Sequence, residues 1–126
     1  MADERGLTEL RRGVLGSCVL ALLARHRRFG LELVRDLGAA GGLLTSEGTV
    51  YPLLNRLAAA GLVTSEWCDE PGQRPRRYYT ITDAGLASLA AFRVEWTAFA
   101  RMVSSVLDLT VPLGGDEVDP AGEVNR

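Results

Sequence analysis

The chain has 126 residues, of which 47% are hydrophobic and 24% are charged. This length fits one domain of ordinary size with an additional helix, and the composition is typical of globular proteins, not of disordered or fibrous ones. The longest segment without a charge, residues 13–24, is far shorter than the roughly 20 residues that cross a bilayer. Asp3 and Glu4 precede the first apolar segment, whereas a signal peptide begins with positive charge. We therefore expect a cytoplasmic protein.

Side chains that serve catalysis or metal binding are scarce. His26 is the single histidine, and Cys18 and Cys68 are too far apart for a paired-cysteine metal motif. This scarcity of histidine excludes most zinc sites, most nucleophilic triads built on histidine, and metal motifs with two histidines. We interpret both cysteines as packing residues and expect neither an enzyme nor a bound metal or cofactor.

The net charge of -2 hides an asymmetry along the chain. Residues 5–82 contain 11 arginines against 7 acidic residues, whereas residues 83–126 contain 3 against 7. This pattern predicts an anionic partner for the first part alone. All 14 cations are arginine, whose planar guanidinium suits phosphate and guanine. A GC-rich coding sequence would produce the same preference.

Apolar periodicity predicts three helices in the first part of the chain. A stripe with three- and four-residue spacing runs from Leu7 to Leu23, and its helix should end near Arg28. A second, shorter stripe ends at the glycines of residues 38–42, and a third helix begins at the hydroxyl pair Thr45 and Ser46. The three predicted buried stripes are Leu7, Leu10, Val14, Leu15, Cys18, Val19, Leu22 and Leu23; Leu33, Val34 and Leu37; and Val50, Leu53, Leu54 and Leu57.

Beyond Gly61, which we expect to close the third helix, the period changes from 3.6 to 2. Strands are predicted at residues 63–68 and 77–81, joined by a long tip, with Tyr79 and Ile81 facing the core. Three helices followed by a hairpin is the order of a winged helix-turn-helix domain. We predict a mainly α fold with a small β-hairpin, divided into a flexible N-terminus (1–6), a winged helix-turn-helix domain (7–82), a long C-terminal helix (83–110) and an acidic disordered tail (111–126).

Two groups of polar residues favour nucleic-acid binding. The exposed face of the third helix carries Thr49, Asn55 and Arg56, whose spacing places them beside one another. The hairpin carries three arginines where its tip meets the returning strand, namely Arg74, Arg76 and Arg77. Arginines displace counterions from phosphates, and short polar groups let a helix approach a DNA groove closely. The alternative is that the three arginines form a solvated edge.

Two strings of residues carry a resemblance to a known family. They are Ser46-Glu47-Gly48-Thr49-Val50-Tyr51-Pro52 and Tyr78-Tyr79-Thr80-Ile81-Thr82-Asp83-Ala84-Gly85. Together they resemble the phenolic acid decarboxylase regulator (PadR) family of bacterial transcription factors, and the single last helix resembles its smaller subfamily. The resemblance implies that Ser46, Thr49, Tyr51 and Arg56 contact DNA from the third helix and that the hairpin arginines do so from the wing. Tyr51 could instead brace the third helix against the first.

The last predicted helix carries an apolar heptad seam of its own. Its residues are Leu89, Phe92, Trp96, Phe99, Val103 and Val106. A small domain cannot cover so long a seam, so we expect it to pair with a second copy in a homodimer, with intramolecular packing as the alternative. In the small subfamily a tryptophan on this helix can line a cavity for flat aromatic compounds. By that resemblance Phe92, Trp96, Phe99 and Met102 are candidates to bind an effector, although ordinary packing explains them equally.

These features lead us to expect a homodimeric transcriptional repressor that binds a palindromic DNA operator and responds to a small aromatic effector. The competing hypothesis is a winged-helix module that has lost DNA binding and contacts a protein through the same surface. Binding to the DNA upstream of its own gene would separate the two.

Overall fold

The computed structural model describes residues 4–43 and 46–109, with side chains from Leu10 onward. A short 3-10 turn (Glu47–Thr49) precedes the third α-helix. The elements are α1 (Glu4–Arg25), β1 (Arg28–Phe29), α2 (Gly30–Ala39), α3 (Val50–Ala59), β2 (Val63–Cys68), β3 (Arg76–Ile81) and α4 (Asp83–Leu107). The predicted fold class, mainly helical with a small sheet and a long last helix, is confirmed.

The sheet is antiparallel with the strand order β1-β3-β2. Strands β2 and β3 form the predicted hairpin, in which Val63 pairs with Ile81 and Cys68 pairs with Arg76. We call residues 63–81 the wing. Strand β1 was not predicted, because two residues carry no periodicity, and it pairs Phe29 with Tyr78 of the wing.

The hydrophobic core lies among α1, α2, α3, the sheet and the start of α4. Tyr79 is 6% exposed and Ile81 packs against the core, which confirms the predicted orientation of β3. Leu10 is 70% exposed, so its predicted place in the buried stripe is wrong; from Leu10 onward, the first apolar side chain of α1 that is partly buried is Val14. The buried apolar residues are Leu15, Val19, Leu20, Leu23, Leu33, Leu37, Val50, Leu53, Leu54, Leu57, Val63, Tyr79 and Leu89.

The helix ends differ slightly from the prediction. Helix α1 begins at Glu4, inside the segment 1–6 that we expected to be flexible. Ser46 caps the 3-10 turn, where its Oγ accepts a hydrogen bond from the Gly48 amide at 3.3 Å. Gly61 has a φ of 77° just after α3, as expected of a left-handed C-terminal cap. Thr45 and the predicted tail, residues 111–126, lie outside the described residues.

The chain divides into two compact units, Met1–Phe92 and Arg93–Arg126. Leu89 is 3% exposed in the core of the first unit, so the prediction that it contacts a second subunit is wrong. Phe92 is partly buried. The seam residues of the second unit are exposed, with Trp96 at 48%, Phe99 at 56%, Val103 at 38% and Val106 at 66%.

None of the described helices combines the length and the apolar character that crossing a bilayer requires.

Candidate nucleic-acid interface

An open groove of about 1070 Å³ is lined by the wing and by helices α2 and α3. Helix α3 contributes Tyr51 and Asn55, and the wing contributes Arg74, Arg76 and Arg77. The groove thus collects five of the eight residues that the sequence indicated for DNA contact. A recognition helix beside a projecting basic hairpin is the arrangement with which winged domains approach a duplex.

Tyr51 connects α3 to the start of α2. Its ring lies over Gly30, where a Cβ would come within 2.5 Å of the Tyr51 Cε1 atom. The side chain is nevertheless 48% exposed to the groove. This contact joins α3 to α2, whereas the predicted alternative was a brace between α3 and α1; much of the phenol stays exposed to the groove.

Arg77 is held in place by two neighbours on β2. Its Nε donates a hydrogen bond to Ser65 Oγ at 3.0 Å, and its guanidinium lies 5.9 Å from the centroid of the Trp67 ring. Trp67 pairs with Arg77 across the hairpin and is 64% exposed. These contacts position a fixed positive charge beside an accessible aromatic ring in the groove.

Arg76 belongs to a stack on the other side of the sheet. Its guanidinium lies 4.4 Å from the Phe29 ring centroid, and Phe29 meets Tyr78 edge to face at 5.4 Å. Arg27 continues the stack, 4.3 Å from the Tyr78 ring centroid, and its Nη1 donates a hydrogen bond to Cys68 Sγ at 3.3 Å. This hydrogen bond is the main cause that raises the pKa of Arg27 above its usual value; an arginine is charged at physiological pH in any case. The structure therefore adds Arg27 to the basic side of the wing.

Arg28, unlike the wing arginines, does not line the groove and has a structural role. It is 6% exposed, and its Nη1 donates to Asp36 Oδ2 of α2 at 2.6 Å. Its Nη2 lies 3.1 Å from His26 Nε2, while His26 Nδ1 lies 2.9 Å from the Arg27 carbonyl oxygen. A neutral imidazole that donates from Nδ1 and accepts at Nε2 satisfies both contacts. The arginine links β1 to α2, the helix that borders the groove.

Three predicted residues do not line the groove. Ser46 serves as a cap, and Thr49 is exposed at the end of the 3-10 turn. Arg56 lines a separate pocket of about 240 Å³ that it shares with Arg12 of α1. The groove also contains residues that the sequence analysis missed, above all Arg35 and Trp67. The alternation of β2 could have indicated Trp67, because it shares a face with buried Val63.

Among the described residues, histidine, cysteine, aspartate and glutamate side chains form no group of three or more that could hold a metal ion.

Comparison with known proteins identifies the family. The model of the PadR-like family of transcriptional regulators matches residues 19–91, which is more than half of the chain. The chain belongs to the PadR-like family. Its matched region covers α2, α3, the wing and the first part of α4, so it includes every wall of the groove.

Individual PadR relatives agree with this assignment. The transcriptional regulator Rv3488 of Mycobacterium tuberculosis is 36% identical over 77% of this chain and 89% of its own length. A PadR family regulator from Eggerthella lenta is 39% identical, covers 84% of this chain and 92% of its own, and superimposes with a TM-score of 0.73. A PadR-like regulator from Bacillus cereus is 31% identical, covers 81% of this chain and 99% of its own, and has the same TM-score of 0.73. This chain is accordingly a transcriptional regulator of the PadR-like family.

Proposed function

We propose that the chain represses transcription by binding a palindromic DNA operator as a homodimer. The observation that carries the proposal is the groove in which Tyr51 and Asn55 of α3 face three wing arginines. In this arrangement α3 enters the major groove, and the wing contacts the adjacent backbone or minor groove. Thr49, exposed at the end of the 3-10 turn just before α3, and Arg56, exposed on α3, extend the surface that contacts DNA.

The wing arginines supply affinity that does not depend on sequence. Each guanidinium that displaces a condensed counterion from a phosphate raises the affinity for DNA. It also makes that affinity fall more steeply as the salt concentration rises. The rings beneath Arg76 and Arg77 limit the freedom of both side chains before DNA arrives, so less conformational entropy is lost on binding.

Arg76→Ala tests the role of the wing. We expect weaker binding to every duplex and a salt slope, d log K/d log [salt], reduced by about one per site. Fluorescence anisotropy with labelled duplexes at several salt concentrations measures both quantities. Arg101→Ala, which removes an exposed arginine of α4 outside the groove, is the matched control and should keep the wild-type slope. An unchanged salt slope for Arg76→Ala contradicts the proposed contact between the wing and the DNA backbone.

Thr49→Ala separates base reading from backbone contact. We expect altered preference among operator variants with little change in the salt slope, because a hydroxyl carries no charge. An equal loss of affinity for all DNA sequences would reverse the roles assigned to the helix and the wing. If the wild-type chain binds no duplex, including the DNA upstream of its own gene, the competing function as a protein-binding module is favoured.

We further propose that a flat aromatic effector binds beside Trp96. The exposed apolar side chains Trp96, Phe99 and Met102, with Phe92 on the same helix, supply surfaces on which such a compound can stack. The chain has two tryptophans, so Trp67→Phe leaves Trp96 as the single reporter. Quenching of its emission by planar aromatic compounds, together with release of DNA, is the expected result; emission that no such compound alters argues against an effector at this position.

A further inference from the structure

The pocket that holds Arg56 lies apart from the groove and contains a second set of polar groups. It has a volume of about 240 Å³ and a floor of leucine side chains. Two arginines, Arg12 of α1 and Arg56 of α3, line it together with the serine hydroxyls of Ser17 and Ser88. We call it the α1–α3 pocket.

Its composition matches the chemistry of a phosphate group. A guanidinium offers a planar set of N–H donors that fits two phosphate oxygens, and serine hydroxyls donate to a third. Gly13 and Gly16 of α1 also line the pocket. A Cβ at Gly13 would meet nothing within 4 Å, so the helix backbone leaves open space next to the arginines.

The pocket lies on a different flank of α3 from the groove. Tyr51 and Asn55 are one helical turn apart and line the groove, whereas Arg56 lines the pocket, about 100° further around the helix than Asn55. A helix in the major groove, which is about 12 Å wide, has a sugar-phosphate strand on each side. With α3 in the major groove, as proposed above, we expect the flank that carries Arg56 to face a different strand from the flank that carries Tyr51 and Asn55.

We propose that the α1–α3 pocket binds a phosphate group, supplied by the DNA strand on the side of α3 away from the wing. This inference rests on the proposed function, since it extends the DNA contact from α3 and the wing to α1. Arg12 and Arg56 neutralise the phosphate, and Ser17 and Ser88 donate hydrogen bonds to it. A free phosphate compound has the same chemistry and could occupy the same groups.

The first experiment measures duplex binding by Arg12→Ala at several salt concentrations. We expect affinity about threefold to tenfold weaker at moderate salt and a salt slope reduced by about one per site. Arg12→Lys keeps the charge and should restore the slope while affinity stays below wild type, because the ammonium lacks the fork. Arg25→Ala, which removes an exposed arginine from the same helix outside both cavities, should behave as wild type. Circular dichroism melting verifies that each variant is folded.

The second experiment titrates inorganic phosphate into the DNA-free protein by calorimetry. Binding that Arg12→Ala abolishes and that competes with duplex supports the site and identifies free phosphate as a second source. No phosphate binding together with a reduced slope in Arg12→Ala supports the site and assigns it to the DNA backbone alone. No phosphate binding together with an unchanged slope overturns the inference. If the wild type binds no duplex, the proposed function fails, and the phosphate titration alone tests the α1–α3 pocket. Absence of phosphate binding in that titration then overturns this inference as well.

Discussion

Gly85 is a residue at which α4 passes close to the turn before β2. A Cβ at this position would collide with the carbonyl oxygen of Leu62 and would lie 2.6 Å from Ile81 Cγ1. Because the first contact is with backbone, we expect Gly85→Ala to lower the free energy of unfolding by about 1–3 kcal/mol. Urea denaturation followed by circular dichroism measures the change.

Gly38 supplies the matched control for this substitution. It lies within α2, and a Cβ there would meet nothing within 4 Å. Gly38→Ala should raise stability by about 0.5–1 kcal/mol, since alanine loses less backbone entropy in a helix. Equal effects of the two substitutions would show that the close approach at Gly85 has no energetic importance.

At the scale of elements, Thr82 joins the wing, α4 and the end of α3. Its Oγ1 donates a hydrogen bond to the Gly61 carbonyl at 2.7 Å and accepts one from the Gly85 amide at 3.0 Å. Thr82→Ala removes the N-terminal cap of α4 together with this link, so stability should fall by about 1–2 kcal/mol. Thr82→Ser keeps the hydroxyl and should retain most of the stability. Thermal melting measures both variants. An equal loss of stability in Thr82→Ala and Thr82→Ser would contradict the capping role.

The elements were predictable wherever apolar residues on one face of a helix or strand recur at the regular period of that element. The buried stripe of α3 and the pairing of β2 with β3 follow from such patterns alone. Strand β1 did not, because Arg28 and Phe29 become a strand only by pairing with Tyr79 and Tyr78, fifty-one and forty-nine positions further on. Leu89 shows a different limit: heptad spacing reports an apolar face but cannot tell whether its own core or a second copy covers that face.

The candidate site was predictable to a similar extent. Arginine content and the position of the hairpin tip indicated Arg76 and Arg77, because like charges beside a turn are visible in the linear sequence. Their partners Phe29 and Trp67 depend on strand register and on the unpredicted strand β1, which no local pattern reveals. The separation of Arg56 from the groove likewise depends on tertiary structure, which places it in a pocket with residues of α1 and with Ser88 of α4.

At the scale of the whole molecule, the proposed dimer depends on the apolar side chains of residues 93–107. Phe99→Glu places a carboxylate on the exposed seam, and burying an uncompensated charge in an interface is costly. We expect a wild-type dimer and a monomeric Phe99→Glu variant at micromolar concentration in sedimentation velocity. Ala98→Glu puts the same charge on an exposed position away from the seam and should remain dimeric. A monomeric wild type, or dissociation of both variants alike, contradicts the proposed interface.

The short strand β1 has a consequence for protein engineering. The hairpin carries Arg76 and Tyr78, yet the rings and cations that immobilise them, Phe29 and Arg27, come from a segment far earlier in the chain. A chimera that transplants residues 63–81 alone into another scaffold would leave Arg76 without its aromatic platform. Faithful grafting of this hairpin therefore requires residues 27–29 of the donor as well.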